Sequence, residues 1–450
     1  MAQKHKIIVI GAGAAGMSAA VRLANAGLLV TLLEGRDRIG GRILMQHDPA
    51  FAKPIALGAE FIHGLPPEIW EPLESRKIAI KEVDGTPWCF RNGGLIPCDF
   101  FSDVDEILKK MDASLPDESF LHYLRRAFPD SKSSAKLSDA KKHALAYVRG
   151  FNAADPDRVG VHWLVQGMKA EEEIQGDRAF HSENGYEDLL KIFHSQLSEA
   201  NIELLTRTVI RSIDWKPGEV RIEARREEHD LQFIAERVLV TLPLGVLQAS
   251  ADAEGAVSFV PSLAAHKSTA LKTLVMGKVA RIVLRFHRRF WEDMSPAGSK
   301  KTLADMNFIF SDDEFFPTWW TTMPEKLPII TGWAPDDCAE QLEGKNRSSV
   351  VEQALETLAK LLGLPKAQLS DLMEAAYFHD WQSDPFSLGA YSYGAVGSDG
   401  AQKELGAPID STLFFAGEAT DITGHNGTVH GAIASGHRAA REILDSIGSR

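Results

Sequence analysis

Six residues near the start of the chain, Gly11-Ala12-Gly13-Ala14-Ala15-Gly16, carry the spacing GxGxxG. The chemistry open to such a segment is anion binding by backbone. Gly11 permits a tight turn, Gly13 lets the main chain approach a pyrophosphate, and Gly16 lets a helix pack close to a strand. The helix that follows offers unpaired N–H groups and the positive end of its dipole. Glu34 stands eighteen residues past Gly16. A carboxylate about 20 residues on accepts hydrogen bonds from a ribose. An acid there suits free ribose hydroxyls and disfavours a 2′-phosphate. Residues 34–42, Glu-Gly-Arg-Asp-Arg-Ile-Gly-Gly-Arg, continue directly from it. Gly35, Gly40 and Gly41 allow close backbone approach, and Arg36 and Arg42 can reach phosphate oxygens as planar forks. A basic loop on a solvated surface is the other reading of that stretch. Together the two segments select FAD over NAD.

The elements around these residues fit that chemistry. Residues 6–10, Lys-Ile-Ile-Val-Ile, read as a buried parallel strand. Residues 14–26 are alanine-rich at helical spacing and stop at Gly27. Residues 28–33 are a second apolar strand. Helices are expected from Pro66, over 185–200, over 348–362 and over 429–447. Strands are expected at 204–205, 209–215, 220–224, 238–241, 280–286, 329–332 and 412–416. Residues 77–176 read as mixed and rather helical, with polar 130–142 and the charge run 171–173 as solvated faces. The dinucleotide fold thus starts at residue 1 and finishes beyond residue 400. The expected class is α/β: a discontinuous Rossmann-like FAD-binding domain (1–75, 186–270 and 386–450) plus an α+β substrate-binding domain (76–185 and 271–385).

Composition sets outer limits. The chain has 450 residues, 44% hydrophobic and 25% charged, which suits a globular protein with a large core. A net charge of -13 argues against nucleic-acid and anionic-membrane partners. Cys89, Cys98 and Cys338 are odd in number and form no CxxC pair, so neither a disulfide framework nor a zinc site is expected. A reducing cytoplasm fits that usage. No secretory leader and no transmembrane helix are expected.

Across its length the chain resembles the flavin-containing amine oxidases, a family that includes monoamine oxidases, polyamine oxidases and lysine-specific histone demethylases. The resemblance rests on 7–16, 34–42, LGAEFIHG at 57–64, VLVTLPLGVL at 238–247, FHRRFW at 286–291, WQSDPFSLGAY at 381–391, FFAGEAT at 414–420 and GTVHGAIASG at 427–436. It implies hydride transfer from the carbon beside an amine to flavin N5. The imine is then hydrolysed, and O2 reoxidises the flavin to give hydrogen peroxide. It implies cofactor contacts at Gly58, Ala59, Glu60, Val209, Trp381, Gly417, Glu418, Thr428 and Val429. The last helix, opening at Thr428 and Val429, can stabilise charge on the reduced flavin ring. The implied partners are a small-molecule amine and O2, in a monomer or homodimer.

The chain also departs from the family pattern. Ala390 stands where monoamine oxidases attach flavin through a cysteine, so FAD is expected to be non-covalent. Tyr391 matches one of the two flavin-facing aromatics, and Thr428 stands at the other. Arg281 occupies the position of the family's lysine ten residues before Trp291, while Lys278 would fall on the opposite strand face. Arg281, Tyr391 and Thr428 are therefore the candidate catalytic positions. Candidate substrate contacts are Glu60, His63, Phe316, Trp319 and Tyr391, with Trp320 beside them. Alternatives stay open for several. Glu60 also reads as a salt bridge, His63 as loop packing, and the aromatic cluster as core. The function alternatives are a desaturase or dehydrogenase of the same superfamily and a catalytically weak flavoprotein.

Overall fold

A computed structural model describes residues 5–129, 134–200, 202–296 and 299–448. Five parallel strands form one sheet in the order Glu203–Leu205, Leu29–Leu33, Lys6–Ile10, Arg237–Val240, Leu413–Phe415. Ile7 pairs with Val30 on one side and Arg237 on the other. Alternate side chains of the central strand serve two cores. Ile7 and Val9 pack with the helices Ala14–Asn25 and Val429–Gly448. Ile8 and Ile10 pack against the strands Thr208–Lys216 and Glu219–Arg226. Burial on both faces is why the sequence reads as a continuous apolar run rather than an alternation. The chain leaves the central strand for one side and returns on the other, which opens a crevice at its carboxyl end.

Glycines let the first helix seat on the strand turn, at Gly16, and against the last helix, at Gly436. A Cβ on Gly16 would lie 1.9 Å from the Gly11 carbonyl oxygen, and one on Gly436 would lie 2.3 Å from that of Ala15.

A mixed seven-stranded sheet lies elsewhere. Its order is Met373–Phe378, Val279–Phe286, Ile329–Pro335, Thr318–Thr321, Met306–Phe310, Thr86–Arg91, Gly94–Pro97. One face packs on the helix Arg347–Leu362, capped by Asn346. A helical layer of Phe100–Leu108, Phe120–Ala127, Ala135–Gly150 and Val161–Glu173 forms a third core.

Most expected elements appear, with ends shifted by a residue or two. Residues 77–176 are helical for much of their length, yet they also supply the hairpin Thr86–Arg91/Gly94–Pro97. Its turn residues Asn92 and Gly93 both have positive φ, 52° and 79°. Asn-Gly is the pairing that favours such a turn, so the signal was present in the sequence. Of the polar stretch 130–142, residues 130–133 lie outside the described residues. The remainder enters the helix Ala135–Gly150, capped by Ser134.

The cysteine expectation is corrected. Cys89 and Cys98 form a disulfide, leaving Cys338 as a free, buried thiol. The two lie nine residues apart across the hairpin, a long-turn pairing that no CxxC rule would find. The inference from unpaired cysteines to a reducing compartment loses its premise. Among the described residues no helix is long and apolar enough to cross a membrane, and no side-chain cluster could hold a metal.

Two outcomes test this packing. Thiol titration of the oxidised, denatured chain should find one reactive group, rising to three after reduction. Gly436→Ala should destabilise the chain by roughly 2–3 kcal/mol, because overpacking against backbone forces a shift. Thermal denaturation reads that loss directly.

Candidate functional site

The central strand ends at Ile10, and Gly11 turns the chain with φ of +100°. The helix Ala14–Asn25 starts at once, with no side chain capping its N-terminus. Its first N–H groups are left for a ligand. Gly13 has extended backbone, and a Cβ there would meet nothing within 4 Å. Gly40 and Gly41 fold back on this turn: the Gly40 N–H donates to the Ala12 carbonyl at 2.8 Å, and a Cβ on Gly41 would lie 3.3 Å from the Gly13 Cα.

Glu34 is buried beneath the turn. One carboxylate oxygen accepts from the Ala12 N–H and the other from the Arg36 N–H, each at 2.8 Å. Burial raises its pKa, while those two hydrogen bonds and Arg36 and Arg38 pull the other way. Arg36 lines the cavity and is also tied to the loop 384–387. Its Nη2 donates to Asp384 at 2.6 Å and Ser387 at 2.8 Å, and the guanidinium lies over the Phe386 ring. Arg36 therefore braces the Glu34 turn at the cavity wall. Arg42 donates to the Ala390 carbonyl at 2.7 Å and to Glu418 at 2.9 Å.

Glu418 itself is buried and fully used. Its second oxygen accepts from the Ser392 hydroxyl at 2.6 Å and from the Gly427 N–H at 3.0 Å. Gly417, with φ of 126°, lets the chain turn into it. Thr428 caps the last helix: its hydroxyl accepts from the Gly431 N–H at 3.0 Å and donates to the His425 carbonyl at 2.7 Å. The hydroxyl is thereby committed to the helix end.

Beyond this point the walls become aromatic. The Phe61 ring centroid lies 5.6 Å from that of Trp320 and 6.1 Å from that of Phe308. Phe151 lies 5.1 Å from His63 and stacks on Tyr147 at 4.9 Å. The Tyr391 hydroxyl donates to the Phe151 carbonyl at 2.8 Å. Phe316 and Trp319 are corrected: both are fully buried in the core on the far side of the sheet, where the Trp319 N–H donates to the Phe316 carbonyl. Side chains alternate along a strand, so Trp320 faces the opposite way from Trp319 and reaches the open side.

Arg281 and Glu60 meet across this space at 2.5 Å. Arg281 also donates to the Gly58 carbonyl at 2.8 Å, and Glu60 accepts from the Trp320 N–H at 3.0 Å. Burial lowers the Arg281 pKa and Glu60 opposes that. Gly58 is forced, since a Cβ would lie 1.9 Å from the Arg42 carbonyl oxygen. Trp381 closes the same corner by donating to the Leu57 carbonyl at 2.8 Å. Lys278, three residues from Arg281, points out to Glu340 and Glu343.

One cavity of about 1220 Å3 connects these features. Gly11, Gly13, Ala14, Ala15, Glu34, Gly35, Arg36, Gly40, Gly41, Arg42, Gly58, Ala59 and Glu60 line it. So do Val209, Trp381, Gly417, Glu418, Thr428 and Val429. Gly16 is behind the wall, where it serves packing. His63, Arg281 and Tyr391 lie on the wall together with Phe61, Tyr147, Phe151, Phe308, Trp320 and Trp333, of which only Trp320 had been considered from sequence. Glu171 lines it too, so the solvated reading of 171–173 holds for exposed Glu172 and Glu173 but not for Glu171. An uncapped helix N-terminus, an open Gly13 and a buried ribose-type acid fit a dinucleotide.

Comparison with known proteins agrees. The family model "Flavin containing amine oxidoreductase" matches residues 102–444, and the model of the NAD(P)-binding Rossmann-like domain matches residues 9–75. The chain is 25% identical to probable polyamine oxidase 4 of Arabidopsis thaliana, over 98% of this chain and 88% of that protein. It is 26% identical to lysine-specific histone demethylase 1 homolog 3 of the same plant, over 99% of this chain but 30% of the longer protein. Its fold is similar to that of wild-type putrescine oxidase bound to putrescine, with TM-score 0.79, 16% identity, and 98% and 99% of the two chains covered. With a family match over most of its length, the chain belongs to the flavin-containing amine oxidoreductases and is an FAD-dependent enzyme.

Proposed function

We propose that the chain oxidises a primary or secondary amine to the imine, with O2 as final acceptor. The observation that carries the reading is continuity: one cavity joins the uncapped helix N-terminus to an aromatic chamber. Bound FAD would supply the acceptor for the hydride leaving the carbon beside the nitrogen, and its reoxidation would yield hydrogen peroxide. Polyamine and putrescine oxidases among the similar proteins support an aliphatic amine as substrate.

The chain's own residues divide the work. Gly11, Gly13, Ala14, Ala15, Gly40 and Gly41 hold the pyrophosphate with main-chain groups, and Arg42 adds charge beside it. Glu34 accepts the ribose hydroxyls. Val209 and Trp381 flank the cofactor, and the helix starting at Val429 points its positive end at the ring. Alanine at 390 has no group to bond with flavin, so the cofactor is held without a covalent link. We assign these roles to a domain built from 1–75, 186–270 and 386–450, and the chamber mainly to 76–185 and 271–385.

The chamber acts on the amine's proton. Low polarity disfavours a cation, so a bound ammonium sheds its proton more easily and exposes the nitrogen lone pair. His63 reports the same effect on a resident base: burial, with His181 adding to it, pushes its imidazole down to about 4. Tyr391 and Phe61 orient the alkyl part, while the Arg281–Glu60 pair holds the sheet end against Gly58 and fixes Trp320.

Anaerobic mixing of the purified holoenzyme with an aliphatic amine panel should bleach the flavin absorbance, and aerobic turnover should release peroxide. Bleaching by no amine would sink the reading. Gly13→Val should leave the thermal stability of the cofactor-free chain intact, since its side chain would enter open space on an unstrained backbone. The same change should loosen FAD at least tenfold, about 1.4 kcal/mol, measured by flavin fluorescence on titration.

A further inference from the structure

The helix Val161–Glu173 presents Leu164, Gly167, Met168 and Glu171 to the cavity, one turn apart along a single face. Gly424 lets its middle come close, as a Cβ there would lie 2.8 Å from the Gln166 carbonyl oxygen. Glu171 and Glu172 end the stripe, and of the two Glu172 is the exposed one. Among the described residues the Glu171 carboxylate makes no hydrogen bond or ion pair. Its base is clamped all the same: a Cβ on Gly176 would lie 2.7 Å from the Glu171 Cβ.

Two cations on the same cavity wall are already engaged. Lys109 is held by Asp105 at 2.6 Å, and Arg178 by Glu82 at 2.6 Å. Asp177, Asp105 and the Tyr147 phenol are the titratable neighbours that act on or share its field. Burial, with Asp177 adding to it, pushes the Glu171 carboxyl up to about 7. A carboxyl in that state gains from a positive partner. Tyr147, an electrostatic neighbour of Glu171, stacks on Phe151, which meets His63 and accepts from Tyr391. An aromatic wall therefore runs from Glu171 into the chamber, a surface suited to methylenes and to the face of an ammonium group.

Resting on the amine-oxidase reading, we propose that Glu171 receives the second ammonium of a linear diamine while the first nitrogen enters the aromatic chamber. The pairing places charge at one end of the cavity and a neutral, reactive amine at the other. It selects diamines over monoamines of the same chain length.

The test uses linear α,ω-diamines of increasing length and the matching n-alkylamines. Binding to the holoenzyme is measured by calorimetry with the flavin chemically reduced, so that no turnover intervenes, and KM and kcat are measured separately in air. The wild type should bind the best-fitting diamine at least tenfold tighter than its monoamine, with the difference carried in KM. Glu171→Gln, close to isosteric, should bring that ratio towards one. Glu173→Gln, an exposed acid on the same helix, should keep it. An equal ratio in the wild type, a preserved ratio in Glu171→Gln, or an equal loss in Glu173→Gln would overturn the assignment. Diamine preference that depends on Glu171 without oxidation of any amine would remove the amine-oxidase reading and leave the subsite standing. Oxidation indifferent to Glu171 would do the reverse.

Discussion

The buried carboxylate of Glu418 holds the cavity together. It receives Arg42 from the N-terminal region, Ser392 from the loop after the aromatic chamber and Gly427 from the turn before the last helix. Three segments far apart in sequence meet on two oxygens. A charge out of water is tolerable only when its partners are complete, and here a guanidinium, a hydroxyl and an N–H complete it. Removing any of them would leave a buried charge short of partners. The position of Tyr391, next to Ser392, and that of Thr428, next to Gly427, follow from this one group.

The second constraint is close backbone approach. Gly11, Gly16, Gly58 and Gly436 each stand where a Cβ would strike main chain or a fixed side chain. Gly13 differs, since it faces open space. The same residue type thus serves two ends within six positions: Gly16 lets the helix seat, and Gly13 keeps the wall open to a ligand. The GxGxxG spacing merges both uses into one pattern.

Local rules explain what was legible in the sequence. The strand Lys6–Ile10, the helix after it and Glu34 lie close together in the chain, and each has a sharp signature. Lys278 was separable from Arg281 because strand geometry is periodic. The chamber was harder to read. Phe61, Phe151, Phe308 and Trp320 come from four separate segments, and their meeting depends on how a seven-stranded sheet sits against a helical layer. Phe316 and Trp319 misled because an aromatic cluster in sequence does not say which face of a strand it occupies. Glu171 was taken as one of three alike charges, and its place on the cavity wall is a tertiary fact. The Cys89–Cys98 bridge needed the Asn92-Gly93 hairpin to be seen first.

The order of the five-stranded sheet has a bearing on synthesis. The strand Leu413–Phe415 and the helix Val429–Gly448 complete a unit whose first strand is made at residue 6. Such a contact closes a loop of about four hundred residues, and long-range pairing is slow to form. A ribosome presenting the first 400 residues exposes the glycine turn without the helix that seats against it at Gly436. Until the last helix is made, Ile7 and Val9 lack part of the cover they have in the finished core, the kind of exposed apolar surface that partly made domains carry.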